Sequence, residues 1–207
     1  MFFPMMIDLE DRSILIVGGG QVAYRKAKAM LEFGASITLV SPEFTEEFIA
    51  LKEKSKSDNE IELIYDVYDA SYVINKFLVV AATSSRCVNK EVVRDCNIHQ
   101  ILVNNVDGRE KSDFITPAIY KNDDLTISIS TGGSFPYLSK RMRMDMEEKY
   151  SKYNAEYMKL LESIRYKIID KYPDKKRQIM DKVLKLDIDE LKSFKAEIDD
   201  KDQGDVI

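Results

Sequence analysis

The chain has 207 residues, of which 44% are hydrophobic and 32% charged, and its net charge is −5 at pH 7. This composition is typical of a globular protein with one or two domains, and the acidic balance argues against a broad basic surface for nucleic acid. No apolar run approaches the roughly 20 residues of a membrane span, and the N-terminus lacks the basic start of a signal peptide. We therefore expect a cytoplasmic protein that binds neither nucleic acid nor membrane.

The sequence contains few cysteine or histidine residues that could bind a metal ion or form a disulfide. It contains two cysteines, Cys87 and Cys96, and one histidine, His99. These residues do not have the paired spacing of a zinc site or of a disulfide framework. We therefore predict no metal ligands, and we interpret His99 as structural or exposed rather than catalytic.

The first predicted elements form a strand–helix–strand unit. Residues 2–9 have the pattern of a short apolar lead-in strand, and residues 14–17 are branched apolar residues typical of a buried parallel strand. An amphipathic helix is predicted over 21–33, ended by Gly34 as a left-handed cap. The second strand, 37–40, completes a βαβ unit of the length that a dinucleotide-binding fold requires.

A glycine turn joins the first strand to the first helix. Gly18, Gly20 and Ala23 have the spacing of the dinucleotide-binding fingerprint. The first glycine permits a tight turn, the second admits a pyrophosphate, and the small third residue lets the helix pack on the strand. We predict that this turn, with Gln21 and Val22 at the helix N-terminus, binds the phosphates of a dinucleotide. The alternative is a purely structural turn.

Further elements extend this unit into an open, mostly parallel sheet. They are a helix over 45–54, strands over 61–65 and 77–82, a helix over 88–96 and a strand over 101–104. The alternating 61–65 strand is expected at an edge of the sheet, and the wholly apolar 77–82 strand inside it.

The pattern changes at about residue 113. Two alternating segments, 114–120 and 125–130, flank a polar turn and predict a hairpin. A second glycine turn follows, and apolar residues then recur at steps of three and four until Tyr172–Pro173. This spacing predicts one long amphipathic helix that proline ends.

Three regions follow from this division. We predict an α/β, Rossmann-type parallel sheet domain over 1–113, a small strand-containing region over 114–150 and an α-helical C-terminal module over 151–207. Two shorter helices, over 175–186 and 188–199, complete that module.

Candidate cofactor contacts lie where predicted strands end. An acidic residue that binds the ribose commonly ends the second strand, but Ser41 and Pro42 stand here and the acid arrives at Glu43. Glu43 either reaches the ribose or is an exposed acid of the following helix. No arginine follows to receive a 2′-phosphate, which favours NAD over NADP. Ala82 and Thr83 end a strand at the ligand crevice, where small residues either leave room for a cofactor or simply pack tightly.

Two later turns carry candidate chemistry. Asp107 follows the fifth strand and is placed to act as a general base or metal ligand, or else to form an Asp-Gly turn. The second glycine turn offers backbone N–H groups at a helix start, which could hold a carboxylate or phosphate or could simply join hairpin to helix. Its residues are Thr131, Gly132, Gly133 and Ser134.

Taken in order, these motifs resemble the siroheme-synthesis family of precorrin-2 dehydrogenases, some members of which are also sirohydrochlorin ferrochelatases. The matching segments are residues 4–9, 17–26, 79–83 with 88–89, 103–107, 112–117 and 130–136. The ordered series is far more specific than any one motif, and it covers residues 1 to about 150.

The resemblance implies NAD-dependent oxidation of precorrin-2, a polycarboxylate tetrapyrrole, to sirohydrochlorin, with ferrous iron insertion in bifunctional members. The family's central aspartate corresponds to Asp107, and its serine before the glycine pair is replaced by Thr131. The glycine turn at Thr131 is expected to bind substrate. Similar proteins are homodimers, so the resemblance implies that 114–150 is a dimerisation region.

Two other functions are alternatives to the dehydrogenase. An NAD-binding regulatory sensor module would explain the first glycine turn, but neither the Asn104–Asp107 segment nor the Thr131–Pro136 turn. A chelatase without redox activity would insert metal with no need for NAD. Binding of a tetrapyrrole separates the sensor from both enzymes.

Overall fold

The computed structural model describes residues 2–55, 60–108 and 112–200. The chain divides into two compact units, Met1–Thr116 and Pro117–Ile207. A five-stranded sheet belongs to the first unit and a two-stranded sheet to the second. Within the described ranges, no helix combines the length and apolarity that crossing a membrane requires.

The first unit alternates strands with helices. Its elements are β1 (Ser13–Val17), α1 (Gln21–Leu31), β2 (Ser36–Val40), α2 (Glu46–Glu53), β3 (Ile61–Ile64), β4 (Leu78–Ala81), α3 (Arg86–His99) and β5 (Leu102–Asn105). The strand order is β3-β2-β1-β4-β5, and every neighbouring pair is parallel. The predicted α/β class, the edge position of β3 and the interior position of β4 are confirmed.

Apolar side chains on both faces of this sheet form its core. Ile14 and Ile16 face α1 and α2, whereas Leu15 packs on the opposite side with residues of α3. Burial of both faces explains why the central strands are apolar throughout rather than alternating. Gly34 has the left-handed backbone expected of it, with a φ of +79°, but α1 ends earlier than predicted, at Leu31, and its C-cap is Glu32.

The lead-in strand predicted over 2–9 is wrong. These residues pair with no strand of either described sheet, and Phe3, Met5 and Met6 are exposed. An apolar run forms a strand only where a neighbouring strand bonds its backbone. The apolar pattern alone therefore misled the prediction.

The second unit begins with the predicted hairpin and continues with helices. Its elements are β6 (Ala118–Asn122), β7 (Leu125–Ile129), α4 (Pro136–Tyr150), α5 (Ala155–Lys171), α6 (Lys176–Val183) and α7 (Ile188–Asp200). The strands β6 and β7 are antiparallel. The last three helices share a small core, formed by Tyr157, Ile164, Ile168, Val183, Leu191 and Ile198.

The long helix predicted up to Tyr172 is wrong, because α4 and α5 are separate helices. The Asn154 side chain accepts a hydrogen bond from the N–H of Tyr157 (3.0 Å) and thereby caps the start of α5. Asn122 donates to the carbonyl oxygens of Ser151 and Tyr153, at 3.1 and 3.2 Å. Side chains therefore satisfy the backbone groups that the break leaves without helical partners.

Candidate functional site

A cavity of about 520 Å³ opens at the carboxyl ends of β1, β2 and β4. Ligands of parallel sheets bind at this edge, where the strand order switches direction. The lining residues are Val17, Gly18, Gly19, Gly20, Val40, Ser41, Pro42, Glu43, Phe44, Thr45, Val67, Tyr68, Ala82, Thr83, Ser84, Ser85 and Val88.

Most of the residues predicted to bind a cofactor come together in this lining. They are Gly18, Gly20, Ser41, Pro42, Glu43, Ala82 and Thr83. The other three, Gln21, Val22 and Ala23, lie in the first turn of α1 and outside the lining. Ala23 is fully buried, in keeping with its expected role in close helix packing, and Gln21 donates a hydrogen bond to Glu47 (2.6 Å).

Other backbone segments approach the first two glycines of the turn closely and leave space around the third. A side chain at Gly18, whose φ is +127°, would collide with the carbonyl group of Ala82, and one at Gly19 would collide with that of Glu43. Gly20 has open space around it. Helix α1 then begins without a side-chain cap, so its first N–H groups face a position suited to an anion.

One wall of the cavity is fixed by Asn89, which the sequence prediction did not include among the binding residues. Its Oδ1 accepts hydrogen bonds from the N–H and the hydroxyl of Thr83, at 3.1 and 2.8 Å. Its Nδ2 donates to the Thr83 carbonyl oxygen (3.1 Å). Asn89 is 1% exposed. This buried amide therefore sets the loop after β4, although it does not line the cavity itself.

A second feature that the sequence did not predict is a hydrogen-bonded group of side chains next to the residues that follow β3. Tyr68 lines the cavity, and its hydroxyl donates to Oδ2 of Asp95 on α3 (3.0 Å). Oδ1 of the same carboxylate pairs with Nε of Arg94 (3.0 Å). Burial, and next the bond to Asp95, hold the pKa of Tyr68 above its usual range.

Asp107, the predicted catalytic residue, lies in the turn after β5. It is half-buried, and its N–H donates to Oδ1 of Asn105 (3.3 Å). The preceding residues Asn104 and Asn105 are buried. Among the described residues, Oδ1 of Asn104 and Nδ2 of Asn105 have no hydrogen-bond partner. Such atoms are rare in folded proteins.

The segment after that turn returns along β5. The N–H of Asp113 donates to the Val103 carbonyl oxygen (2.9 Å), and the Asp113 carboxylate accepts from the N–H of Val103 (3.0 Å). Ser112 accepts from the N–H of Asn105 (2.9 Å). The described residues before and after the turn that carries Asp107 are thus hydrogen-bonded to each other.

The second glycine turn belongs to the second unit, immediately before α4. Gly132 and Gly133 have φ values of +63° and +86°, with open space around both. Thr131 Oγ1 accepts from the N–H of Phe135 (3.0 Å), and the Ser134 hydroxyl donates to the Thr131 carbonyl oxygen (2.6 Å). The hydroxyl groups therefore hold the turn itself, and its role in substrate binding stays a prediction.

Among the described residues, no three or more His, Cys, Asp or Glu side chains are grouped so that they could hold a metal ion.

Comparison with known proteins gives related matches for the first unit and for the whole chain. Residues 5–118, more than half of the chain, match the model of a family described as NAD(P)-binding. A siroheme synthase of Pseudoalteromonas translucida (strain TAC 125) is 36% identical over 171 residues, which are 83% of this chain and 35% of that protein. A siroheme synthase of Psychrobacter arcticus is 40% identical over 145 residues, 70% of this chain and 26% of that protein.

The chain thus spans only about a quarter to a third of the length of these curated relatives. A solved structure named SirC, precorrin-2 dehydrogenase, matches over 96% of this chain and 100% of its own. The two are 27% identical, and the TM-score is 0.74. The similarity therefore includes both units of the chain.

Proposed function

This chain belongs to the NAD(P)-binding family of siroheme synthase N-terminal domains and precorrin-2 dehydrogenases, and on that premise we propose that it oxidises precorrin-2 to sirohydrochlorin with NAD. The observation that carries the proposal is the match to a precorrin-2 dehydrogenase along 96% of this chain. A likeness of the nucleotide-binding unit alone would fit many functions, because fold does not fix function.

In this reaction precorrin-2 loses a hydride and a proton, and the products are sirohydrochlorin, NADH and H⁺. NAD supplies the hydride acceptor when bound. We assign the proton to the carboxylate of Asp107, since a general base must be a positioned, accessible acceptor. Its half-burial and its fixed turn support this role, as do the unpaired buried amide atoms of Asn104 and Asn105 beside it.

Three sets of residues bind NAD in this proposal. The turn Gly18–Gly20 and the backbone N–H groups of Gln21, Val22 and Ala23 hold the pyrophosphate. Ser41, Pro42 and Glu43 contact the adenosine ribose, and Ala82 and Thr83 leave room beside the glycines.

NAD is preferred to NADP because of the charge at the ribose position. Glu43 is the only charged residue among those described that line the cavity. A 2′-phosphate would therefore meet a carboxylate and no cation, which makes NADP the poorer ligand.

The second glycine turn binds a substrate carboxylate in this proposal. Gly132 and Gly133 leave open space in front of the N-terminus of α4, which starts without a side-chain cap hydrogen bond. Backbone N–H groups at such a turn suit the carboxylates of precorrin-2. Thr131 and Ser134 keep the turn in shape.

We also propose that the chain is a homodimer. Large apolar side chains at and just before α4 are exposed, namely Phe135, Tyr137, Leu138, Met142 and Met144. Contiguous exposed apolar surface commonly marks a protein interface. Light scattering at micromolar concentration tests this, and a monomer mass contradicts it. The separation of 114–150 as a dimerisation region from the helical module 151–207 stays a prediction.

The experiment that tests the function follows NADH formation with precorrin-2 and NAD. We expect turnover by the wild-type chain and none above background for Asp107→Asn, which keeps the side-chain shape and removes the base. NAD affinity should be unchanged in that variant. Turnover of Asp107→Asn at the wild-type rate contradicts the assignment of the base.

The same assay separates the alternatives. A sensor module binds NAD without binding the tetrapyrrole or producing NADH. Ferrous iron insertion stays a prediction of the resemblance, and absorbance after addition of ferrous iron tests it. Insertion that proceeds without NAD, in a chain that forms no NADH, indicates a chelatase without redox activity.

A further inference from the structure

Two residues that follow β3 stand at the adenosine end of the cavity. In a dinucleotide-binding sheet the first βαβ half holds one nucleotide, with the ribose contact at the end of the second strand. Here β3 adjoins β2 on the side away from β1. Val67 and Tyr68 follow β3 and line the cavity. They therefore lie beyond the ribose position, where the base of the nucleotide belongs.

The hydroxyl of Tyr68 is already engaged. It donates to Asp95, which is 5% exposed and is also paired with Arg94. A ligand in the cavity would therefore contact the ring of Tyr68 and not its hydroxyl. A buried carboxylate is costly unless it is paired and hydrogen-bonded, so Asp95 retains both partners and fixes the ring.

Two apolar residues line the cavity together with this ring. Val67 and Val88 line the cavity along with Tyr68, whereas the charged Glu43 follows β2. Bases stack on aromatic side chains of this kind. A tyrosine is neutral at ordinary pH and burial raises the pKa of Tyr68 further, so this ring carries no charge.

We propose that Tyr68 is the wall against which the adenine of the dinucleotide packs, and that Asp95 is the residue that positions it. This inference rests on the proposed NAD binding. Asp95 does not line the cavity and acts only through the tyrosine.

ADP-ribose tests the wall directly, because it carries the adenosine half of NAD and no nicotinamide. By calorimetric titration of the full chain, Tyr68→Ala should weaken its binding by about tenfold or more. Tyr68→Phe retains the ring but loses the hydrogen bond to Asp95, so it should weaken binding only severalfold, as Asp95→Ala does.

Tyr72→Ala is the matched control. Tyr72 packs against the same core cluster, and its hydroxyl donates to Asp66 (2.9 Å), but it does not line the cavity. Its removal should leave ADP-ribose affinity unchanged. Equal weakening by Tyr72→Ala, or wild-type affinity in Tyr68→Ala, overturns the proposal.

Asp95 is tested in two backgrounds. Asp95→Ala should weaken ADP-ribose binding severalfold in the wild-type chain, and should have no further effect when Tyr68 is already alanine. A merely structural role would lower the affinity in both backgrounds and would overturn the positioning role. Asp95→Asn, which keeps an acceptor for the hydroxyl, should bind as wild type.

These measurements are independent of the redox reaction. If the chain binds ADP-ribose through Tyr68 but does not oxidise precorrin-2, the proposed function is contradicted and the proposed role of Tyr68 still holds. If the chain oxidises precorrin-2 and Tyr68→Ala binds ADP-ribose normally, only the proposed role of Tyr68 is contradicted. Absence of ADP-ribose binding in the wild type overturns the wall.

Discussion

The backbone carbonyl oxygen of Glu43 occupies the space that a side chain at Gly19 would fill. The N–H of Thr45 also donates to the Gly19 carbonyl oxygen (3.1 Å). The middle glycine, to which the fingerprint spacing assigns no role, therefore joins the phosphate turn to the loop that follows β2. The proposed pyrophosphate and ribose contacts are coupled through this single point.

This coupling predicts opposite behaviour for two neighbouring glycines. Gly19→Ala should lower the free energy of unfolding by several kcal/mol, because backbone and not a flexible side chain blocks the new methyl group. Gly20→Ala should fold with near-normal stability, since nothing lies within 4 Å of the added carbon. It should nevertheless bind NAD much more weakly, because the methyl group stands where the pyrophosphate approaches. Chemical denaturation and NAD titration check both, and unimpaired stability of Gly19→Ala contradicts the coupling.

Asn89 provides a test of the loop after β4, which lines another side of the cavity. Asn89→Ala leaves the backbone N–H and carbonyl of Thr83 without their partners and should cost about 2 kcal/mol of stability. NAD affinity should fall severalfold because the loop after β4 loses its fixed shape. Asn97→Ala, at an exposed site on the same helix, is the control and should change neither quantity. Normal NAD affinity in Asn89→Ala would show that the loop holds its shape without this residue.

Lys26 on α1 gives a prediction about pH. Its Nζ donates to Thr116 Oγ1 (3.0 Å), and burial, followed by the nearby Arg25, lowers its pKa from 10.5 to about 8. Between these values the unfolded chain binds more protons, so stability rises with pH. The cost of the charged lysine is fully present below pH 8 and disappears above about 10.5.

Replacement by methionine should therefore stabilise the protein at pH 7, by up to about 3 kcal/mol. The difference between Lys26→Met and wild type should shrink through the pH 8–10.5 window. Unfolding curves across this range measure it, with Lys28→Met as the exposed control on the same helix. A difference that is constant with pH contradicts the lowered pKa.

The separation of α4 from α5 also has a measurable consequence. Asn154→Ala removes the cap acceptor and should lower the free energy of unfolding by about 1 kcal/mol. Asn154→Asp retains an acceptor at the helix N-terminus and should match wild type. Thermal unfolding of the two variants checks this, and equal melting temperatures would show that the cap contributes nothing.

The five-stranded sheet of the first unit was predictable because its signals are local, whereas the apolar run 2–9 of the same unit misled the prediction. Apolar runs mark the parallel strands, and Gly34 takes the left-handed backbone shortly after α1, which ends at Leu31. The glycine turn itself lines the cavity, through Gly18, Gly19 and Gly20, which are adjacent in sequence. By contrast, Tyr68 and Asp95 are 27 residues apart, and a polar residue on a buried helix face gives no sign of its distant partner. Asn89 belonged to a recognised motif, but its hold on Thr83 appears only in the fold.

The second unit shows where periodicity fails. Apolar residues keep steps of three and four across the break between α4 and α5, so the pattern cannot reveal it. Two hydrogen bonds that Asn122 in the hairpin donates, and one that the Asn154 side chain accepts from the N–H of Tyr157, hold the break in the helix. Such tertiary contacts override a periodic sequence.

The hairpin turn that contacts this break determines how the chain can be divided for experiment. Asp123, next to Asn122, accepts a hydrogen bond from the N–H of Ala155 (2.7 Å), so the turn fastens the start of α5 as well as the end of α4. A two-stranded hairpin is marginal by itself. A fragment ending at Tyr150 would lose these attachments and should be expressed poorly, whereas one that continues through α7 keeps them. Deletion scanning of the C-terminus would then show an abrupt loss of folded protein and not a gradual one.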